Sequence, residues 1–434
     1  MIDYALNVTY KAPLALYVHI PFCSAKCTYC DFNSYAGQDS LMAPYAEAVA
    51  REAALWALHV GGRQFQTVFF GGGTPSLLPL PEMRTIVDGL RRNLEIASDA
   101  EFSLEANPGT VDAAHLRGLR DMGFNRISFG VQSFHEDELR SLDRIHDARE
   151  VEDAYRWARA AGFDNVNLDL IYGLIGQSMA GWQTNLETAL ALGPEHLSLY
   201  ALTLEEGTPL TRDVARGRSA GPDLDLQADM FEWSRKRMAA AGYQHYEVSN
   251  WAKPGRECRH NLVYWHNGDW LGLGAGAHSH LFDQRFADAA SPSRYIGAVQ
   301  GASGSLSPSP RKPVLSKVEG ERGPGGEVAH HAPSNVKDFM PQITFREGAD
   351  TAREMSETVI LALRLREGLD LAQFKQRFGI SLHSAFAGPL LETLELGLTE
   401  LVAGRLRLRD EAVMLGDEAF LRFLPASELS SASR

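Results

Sequence analysis

The chain has 434 residues, of which 44% are hydrophobic and 22% charged, with a net charge of −13. Such a composition belongs to a folded globular protein, and the length calls for one large domain with a smaller one. The acidic balance argues against nucleic acid as a partner, since nucleic-acid binders present a basic face.

Leu14–Ile20 reads as a short apolar strand, stopped by Pro21 and feeding a loop that holds three of the four cysteines. Further strands are predicted at Thr67–Phe70, Glu101–Glu105, Arg126–Val131, Asn165–Tyr172 and His196–Leu202. Amphipathic helices are predicted between and after them, over Pro44–Val60, Pro81–Asn93, Ala113–Met122, Ala148–Ala161, Met179–Leu192 and Leu224–Ala241. Six βα units whose strands are too apolar to face water imply a parallel sheet covered by helices. No reversal of strand order is signalled, so the expected fold class is α/β, a partial (β/α)6 barrel. Barrels of this kind gather function at the C-terminal ends of their strands. Cys23, Gly72, Thr74, Glu105 and Gln132 fall there, with Asp169 inside the fifth strand.

Residues 1–242 are assigned to the barrel and 243–300 to an extension rich in aromatics and histidine. Residues 301–342 are rich in proline, glycine and charge. They cannot bury enough to offset their ordering entropy, so a disordered insertion or linker is expected there. Residues 343–425 are expected to form a mainly helical, winged-helix-like C-terminal domain. Its helices are predicted over Ala352–Arg366, Leu371–Gly379 and Pro389–Leu396, and its hairpin from Leu398–Leu408 and Ala412–Leu415.

The cysteines Cys23, Cys27 and Cys30 have the spacing C-x₃-C-x₂-C. A structural zinc site wants four ligands, as does a closed four-iron cluster. Three thiolates on one short loop can hold three irons of a [4Fe–4S] cluster and leave the fourth open to a substrate or cofactor. Buried small hydrophobes and an incomplete zinc site are the bland alternatives; the spacing favours the cluster. Gly71-Gly72-Gly73-Thr74-Pro75 ends the second strand, and its glycines allow close approach to the backbone, as a wall for the amino group of a small zwitterion. Glu105, Gln132 and Asp169 would ring the barrel mouth with acceptors and an amide suited to ammonium and ribose hydroxyls. Taken singly, each is as readily a cap or a satisfied core polar group.

These motifs together resemble the radical S-adenosylmethionine proteins. Within them they resemble the group that holds oxygen-independent coproporphyrinogen oxidase and a related heme chaperone. The resemblance rests on Tyr17-Val-His-Ile-Pro-Phe-Cys23, Cys27 and Cys30, Gly71-Gly-Gly-Thr-Pro, Glu105-Ala-Asn-Pro, Gly130-Val-Gln-Ser-Phe and Leu168-Asp-Leu-Ile-Tyr-Gly. It runs from about Leu14 to Ser279 and resumes in the C-terminal domain. It implies a [4Fe–4S] cluster on Cys23, Cys27 and Cys30, with S-adenosylmethionine on the open iron. Gly72, Gly73 and Thr74 would contact the methionine part. Glu105, Gln132, Arg144 and Asp169 would hold the rest, with Tyr17 and Tyr29 packed nearby.

Within the group, the oxidase branch carries a further cysteine two residues after the third and a long arm before the cluster. Here the position is Phe32, and only 22 residues precede Cys23. Cys258-Arg-His260-Asn-Leu-Val-Tyr264-Trp265 resembles the HNxxYW motif of the chaperone branch, which implies heme contact by His260 and Tyr264, with Cys258 a second candidate ligand. A structural histidine in an aromatic cluster is the alternative. The expected function is binding heme and transferring it to an unnamed acceptor protein. The other reading is an enzyme, by oxidative decarboxylation of coproporphyrinogen III or radical methyl transfer. Where the family has proline after the fifth strand this chain has Ile175, which is expected to loosen the turn.

No apolar run approaches the ~20 residues that cross a bilayer, and the N-terminal stretch lacks the pattern of a secretory signal. A cytoplasmic location, where thiols stay reduced, is expected, with room for transient membrane association.

Overall fold

The computed structural model describes residues 14–302, 340–348 and 350–425. Six parallel strands follow one another in space in sequence order: β1 (Leu14–Ile20), β2 (Phe65–Gly72), β3 (Ile96–Ala106), β4 (Arg126–Gln132), β5 (Val166–Tyr172) and β6 (His196–Ala201). Consecutive order without reversal makes this a barrel sector with its helices outside. The strands alternate through most of their length. Val68, Phe70, Phe102, Leu104, Ile127, Phe129, Leu168, Leu170, Leu197 and Leu199 are buried in the apolar core. The intervening Thr67, Glu101, Ser103, Arg126, Ser128, Asn167, His196 and Ser198 are buried as well, on the opposite face. A period of 2 therefore sorts each strand into an apolar outer and a polar inner face.

The helices end where their sequences dictate. Met42–Val60 stops at Gly61, which takes the left-handed conformation at φ 45°. Ala148–Ala160 starts with a reciprocal capping box between Asp147 and Glu150. Ser178 caps Met179–Leu192.

The 243–300 segment supplies strands to both edges of the same sheet. At one edge, β8 (Asn250–Ala252) runs antiparallel to β6 and carries β7 (Gln244–Glu247). At the other, β9 (Trp270–Leu273) pairs parallel with β1, followed by β10 (His278–Leu281), β11 (Gln284–Asp288) and β12 (Ile343–Glu347). The sheet thus has twelve strands. Strand β12 belongs to it rather than to the C-terminal domain expected from 343. The insertion expected over 301–342 lies outside the described residues from 303 to 339.

The C-terminal domain contains β13 (Leu369–Asp370), β14 (Thr399–Val402) and β15 (Arg405–Leu408), in the order β13-β15-β14, with helices over Thr351–Leu363, Leu371–Phe378 and Ala387–Glu395. The hairpin lies wholly within 399–408. Residues Asp410–Leu415, expected to contribute to it, form a 3₁₀ helix that buries Ala412 and Val413. Backbone bonds from Val248 N to Arg364 O and from Arg366 N to Tyr246 O, both 3.0 Å, join this domain to the barrel edge. Among the described residues no helix is long and apolar enough to cross a membrane.

Candidate functional site

The barrel encloses a cavity of about 570 Å³ that runs from the cysteine loop at its mouth to the polar floor. Cys23, Cys27 and Cys30 are unpaired, half-buried thiols on its rim. A turn closed by Cys30 N on Cys27 O holds the loop. The end of β2 lies hard against it: Gly73 N donates to Ile20 O (2.9 Å) and Thr74 N to Phe22 O (2.8 Å). A Cβ on Gly73 would come within 2.7 Å of Phe22 O and 3.0 Å of Cys23 Sγ, so only glycine allows this approach. Thr74 Oγ1 donates to Cys23 Sγ at 3.5 Å, and Arg144 Nη1 reaches Cys27 Sγ at 3.6 Å. Among the described residues no three metal-binding side chains converge on a single ion. A [4Fe–4S] cluster takes one thiolate for each of three irons, which three cysteines on one short loop suit, whereas a closed zinc site wants a fourth ligand.

Around the rim sit the other residues expected from sequence. Gly72 has φ 117°, and a Cβ there would strike the His19 ring at 2.5 Å. His19 is fixed by Tyr17 Oη on Nδ1 and Asn33 O at Nε2, both 2.9 Å. Gly72 N donates to Glu105 Oε2 at 3.2 Å. Gln132 has φ 66°, in the left-handed region where a non-glycine residue is strained. It follows a break in register between Gly130 and Gln132 against β5, a bulge that re-aims its side chain to the cavity. Arg144 Nη2 donates to Gly130 O at 2.6 Å, which ties Arg144 to the same bulge. Asp169 accepts from Ser128 Oγ (3.0 Å) and Asn167 Nδ2 (2.7 Å). Tyr29 packs on Leu142, Ile171, Leu174 and Leu202 beside the loop. The turn at Ile175 is not loose: Gln177 Oε1 accepts from Gly173 N at 2.7 Å and from Leu174 N at 3.4 Å.

Glu105 is half-buried and opens on the cavity. Desolvation first, then the charge of Asp169, hold its carboxyl up to about 8, against the pull of the Gly72 N–H and Arg126. A carboxyl raised above its ordinary value favours the folded state below that value, and the advantage is lost as pH rises toward 8. In the cofactor-free protein Glu105 is therefore expected to contribute a fall in stability of about 1.4 kcal/mol per pH unit between about pH 5 and 8, partly offset below about pH 6.5 by buried neutral histidines such as His245 and His260, whose contribution has the opposite sign. Glu247, held up to about 7 chiefly by burial, adds to the slope. Glu105→Gln should remove one group's share, read from melting temperatures across pH. An unchanged slope would mean that Glu105 is ionised throughout.

His260 and Tyr264 lie at the other end, on the short helix Arg259–Trp265 that closes the barrel floor. Glu101 accepts from Arg259 N and His260 N, both 3.1 Å, and neutralises the helix start. His260 is 1% exposed, and both ring nitrogens are engaged: Nδ1 with Thr67 Oγ1 and Nε2 with Tyr264 Oη, each 2.8 Å. Its ring stacks on Phe69 at 5.1 Å. Burial, then the charge of Arg126, hold it down to about 3, so the ring is neutral. In this arrangement neither nitrogen is free for iron. Cys258 is buried too, its thiol pushed up to about 12 chiefly by desolvation.

Sequence reasoning missed the floor itself: Arg126, Ser128, Asn167, His196, Ser198 and Tyr200 all line the cavity. The signal was present as polar residues at every second position of β4, β5 and β6.

Residues 17–189 match the radical SAM superfamily and 350–415 the HemN C-terminal domain. The chain is 33% identical to the heme chaperone HemW of Bacillus subtilis, over 94% of this chain and 98% of that protein. It is 45% identical to HemW of Escherichia coli, over 61% of this chain and 70% of that one. Coproporphyrinogen III oxidase (HemN) of Escherichia coli, a radical SAM enzyme, shares the fold with a TM-score of 0.75, at 23% identity over 95% of this chain and 90% of that one. A radical SAM barrel implies a [4Fe–4S] cluster and S-adenosylmethionine. The match along nearly the whole of both chains, with a cluster loop of three cysteines and an HNxxYW helix, places this protein in the family of the heme chaperone HemW.

Proposed function

We propose that the protein binds heme and hands it to an acceptor protein in the cytoplasm, while keeping a [4Fe–4S] cluster with S-adenosylmethionine on the open iron. The observation that carries this is the full-length likeness to HemW proteins, joined to Phe32 where the oxidase branch has a cysteine. Phe32 is 62% exposed on the cavity rim, an apolar lip where a further thiol would otherwise stand.

Cys23, Cys27 and Cys30 would hold the cluster. Gly72, Gly73 and Thr74 would present backbone and hydroxyl to the methionine part of the cofactor. Glu105 would take its ammonium and, on doing so, release a proton. Asp169, Gln132 and Arg144 would orient the remainder, and Tyr17 and Tyr29 would exclude water. When bound, cluster and cofactor supply one-electron radical chemistry, which the enclosed barrel shields from solvent. Tyr264 faces the cavity and is the better placed of the motif residues for contact with a macrocycle; His260 would act by holding Tyr264 and the floor in place.

The test is an anaerobic heme titration of the cluster-loaded protein beside a coproporphyrinogen assay. Stoichiometric heme uptake with no porphyrinogen consumed is expected. Turnover without stable heme binding would establish the oxidase instead.

A further inference from the structure

Arg126 opens β4 on the barrel floor and is 2% exposed. It faces the cavity. Among the described residues its guanidinium makes no hydrogen bond or ion pair, and its Nε is buried without a partner. The nearby carboxylates are committed elsewhere. Glu101 is taken up by the start of the helix Arg259–Trp265, and Asp169 by Ser128 and Asn167. Burial disfavours the guanidinium's charge, and surrounding groups, Glu101 and Asp169 among them, sustain it from a distance without filling its N–H groups, which a bidentate carboxylate would satisfy. The surrounding side-chain donors are spent on Asp169 and on one another, which leaves the guanidinium as the donor of the floor without a partner among the described residues. Asn167 Nδ2, Ser128 Oγ and Ser198 Oγ form one hydrogen-bonded group beside it, and His196 closes the floor with Nδ1 on Asn167 Oδ1 at 2.6 Å.

Arg126 lies six residues before Gln132 on the same strand, roughly 20 Å along it. A carboxylate seated at the cysteine loop is therefore a different group from one seated at Arg126. We propose that the floor of the barrel is a second anion site, in which Arg126 takes an alkyl carboxylate of the cargo beneath the cofactor. On the function proposed above, that carboxylate is a propionate arm of the tetrapyrrole; a free small carboxylate is the other source of the same chemistry. The inference rests on the heme reading only for which of these it is.

The test compares heme with its dimethyl ester, titrated anaerobically into the cluster-loaded wild type, Arg126→Gln and Arg126→Lys. The wild type should bind the free acid at least tenfold tighter than the ester. Arg126→Gln should lose that preference through weaker binding of the acid, and Arg126→Lys should keep part of it, with cluster absorbance retained in all three. Equal binding of acid and ester by the wild type would overturn the site, whatever the variants do, and so would a preference that survives in Arg126→Gln. If neither tetrapyrrole binds, the heme reading fails by itself. A rise in melting temperature with propionate in the wild type but not in Arg126→Gln would then support the small-carboxylate source, and no rise would overturn the site.

Discussion

Cys27→Ala, prepared anaerobically with iron and sulfide, is expected to lose the iron–sulfur absorbance while keeping the circular dichroism and melting behaviour of the unloaded wild type. The loop that carries Cys27 is half-buried or exposed, and the thiol packs into no apolar cluster. Its removal should therefore cost the fold within about 0.5 kcal/mol. The cluster, by contrast, would be left with two thiolates. Cys23→Ala and Cys30→Ala should behave alike, whereas Cys258→Ala should retain the cluster, because Cys258 lies on the barrel floor beside Glu101. Full iron and sulfide content in Cys27→Ala would show that the rim thiols are not the ligand set.

His260→Ala should act in the opposite way. Its side chain bridges Thr67 and Tyr264, stacks on Phe69 and is fully enclosed, so the variant removes two hydrogen bonds and leaves a void. A loss of about 3 kcal/mol is expected, seen in urea unfolding, with the cluster absorbance intact. Heme affinity should fall because Tyr264 loses its anchor, but the position of the Soret band in the remaining complex should not move. A shifted band would mean that the floor opens on binding and that His260 ligates the iron.

Much of this arrangement could be read in the chain. The first strand, Leu14–Ile20, and the helix Met179–Leu192 coincide with their predicted limits, because Pro21 stops the one and the Ser178 cap and Gly193 bound the other. The rim was legible because its residues fall in motifs next to strand ends. The floor was not, because Arg126 and His196 stand at strand beginnings, where alternation alone marks them as inward-facing. The short strands between 244 and 288 escaped for a different reason. Trp270–Leu273 and His278–Leu281 have only four residues each, too few for a period to show, and they are held by pairing with β1 and with each other. His260 illustrates the limit of a motif: the sequence places a histidine beside a tyrosine, but only the fold shows that each nitrogen already has a partner.

Heme delivery is the most direct test of the proposed function. Protein carrying the cluster and one equivalent of heme is mixed anaerobically with a heme-free b-type cytochrome, and the Soret spectrum is followed over time. The acceptor's spectrum is expected to appear, the donor's to disappear and the cluster absorbance to persist. Heme that stays on the donor, or a donor that takes up none while consuming coproporphyrinogen, would contradict that function.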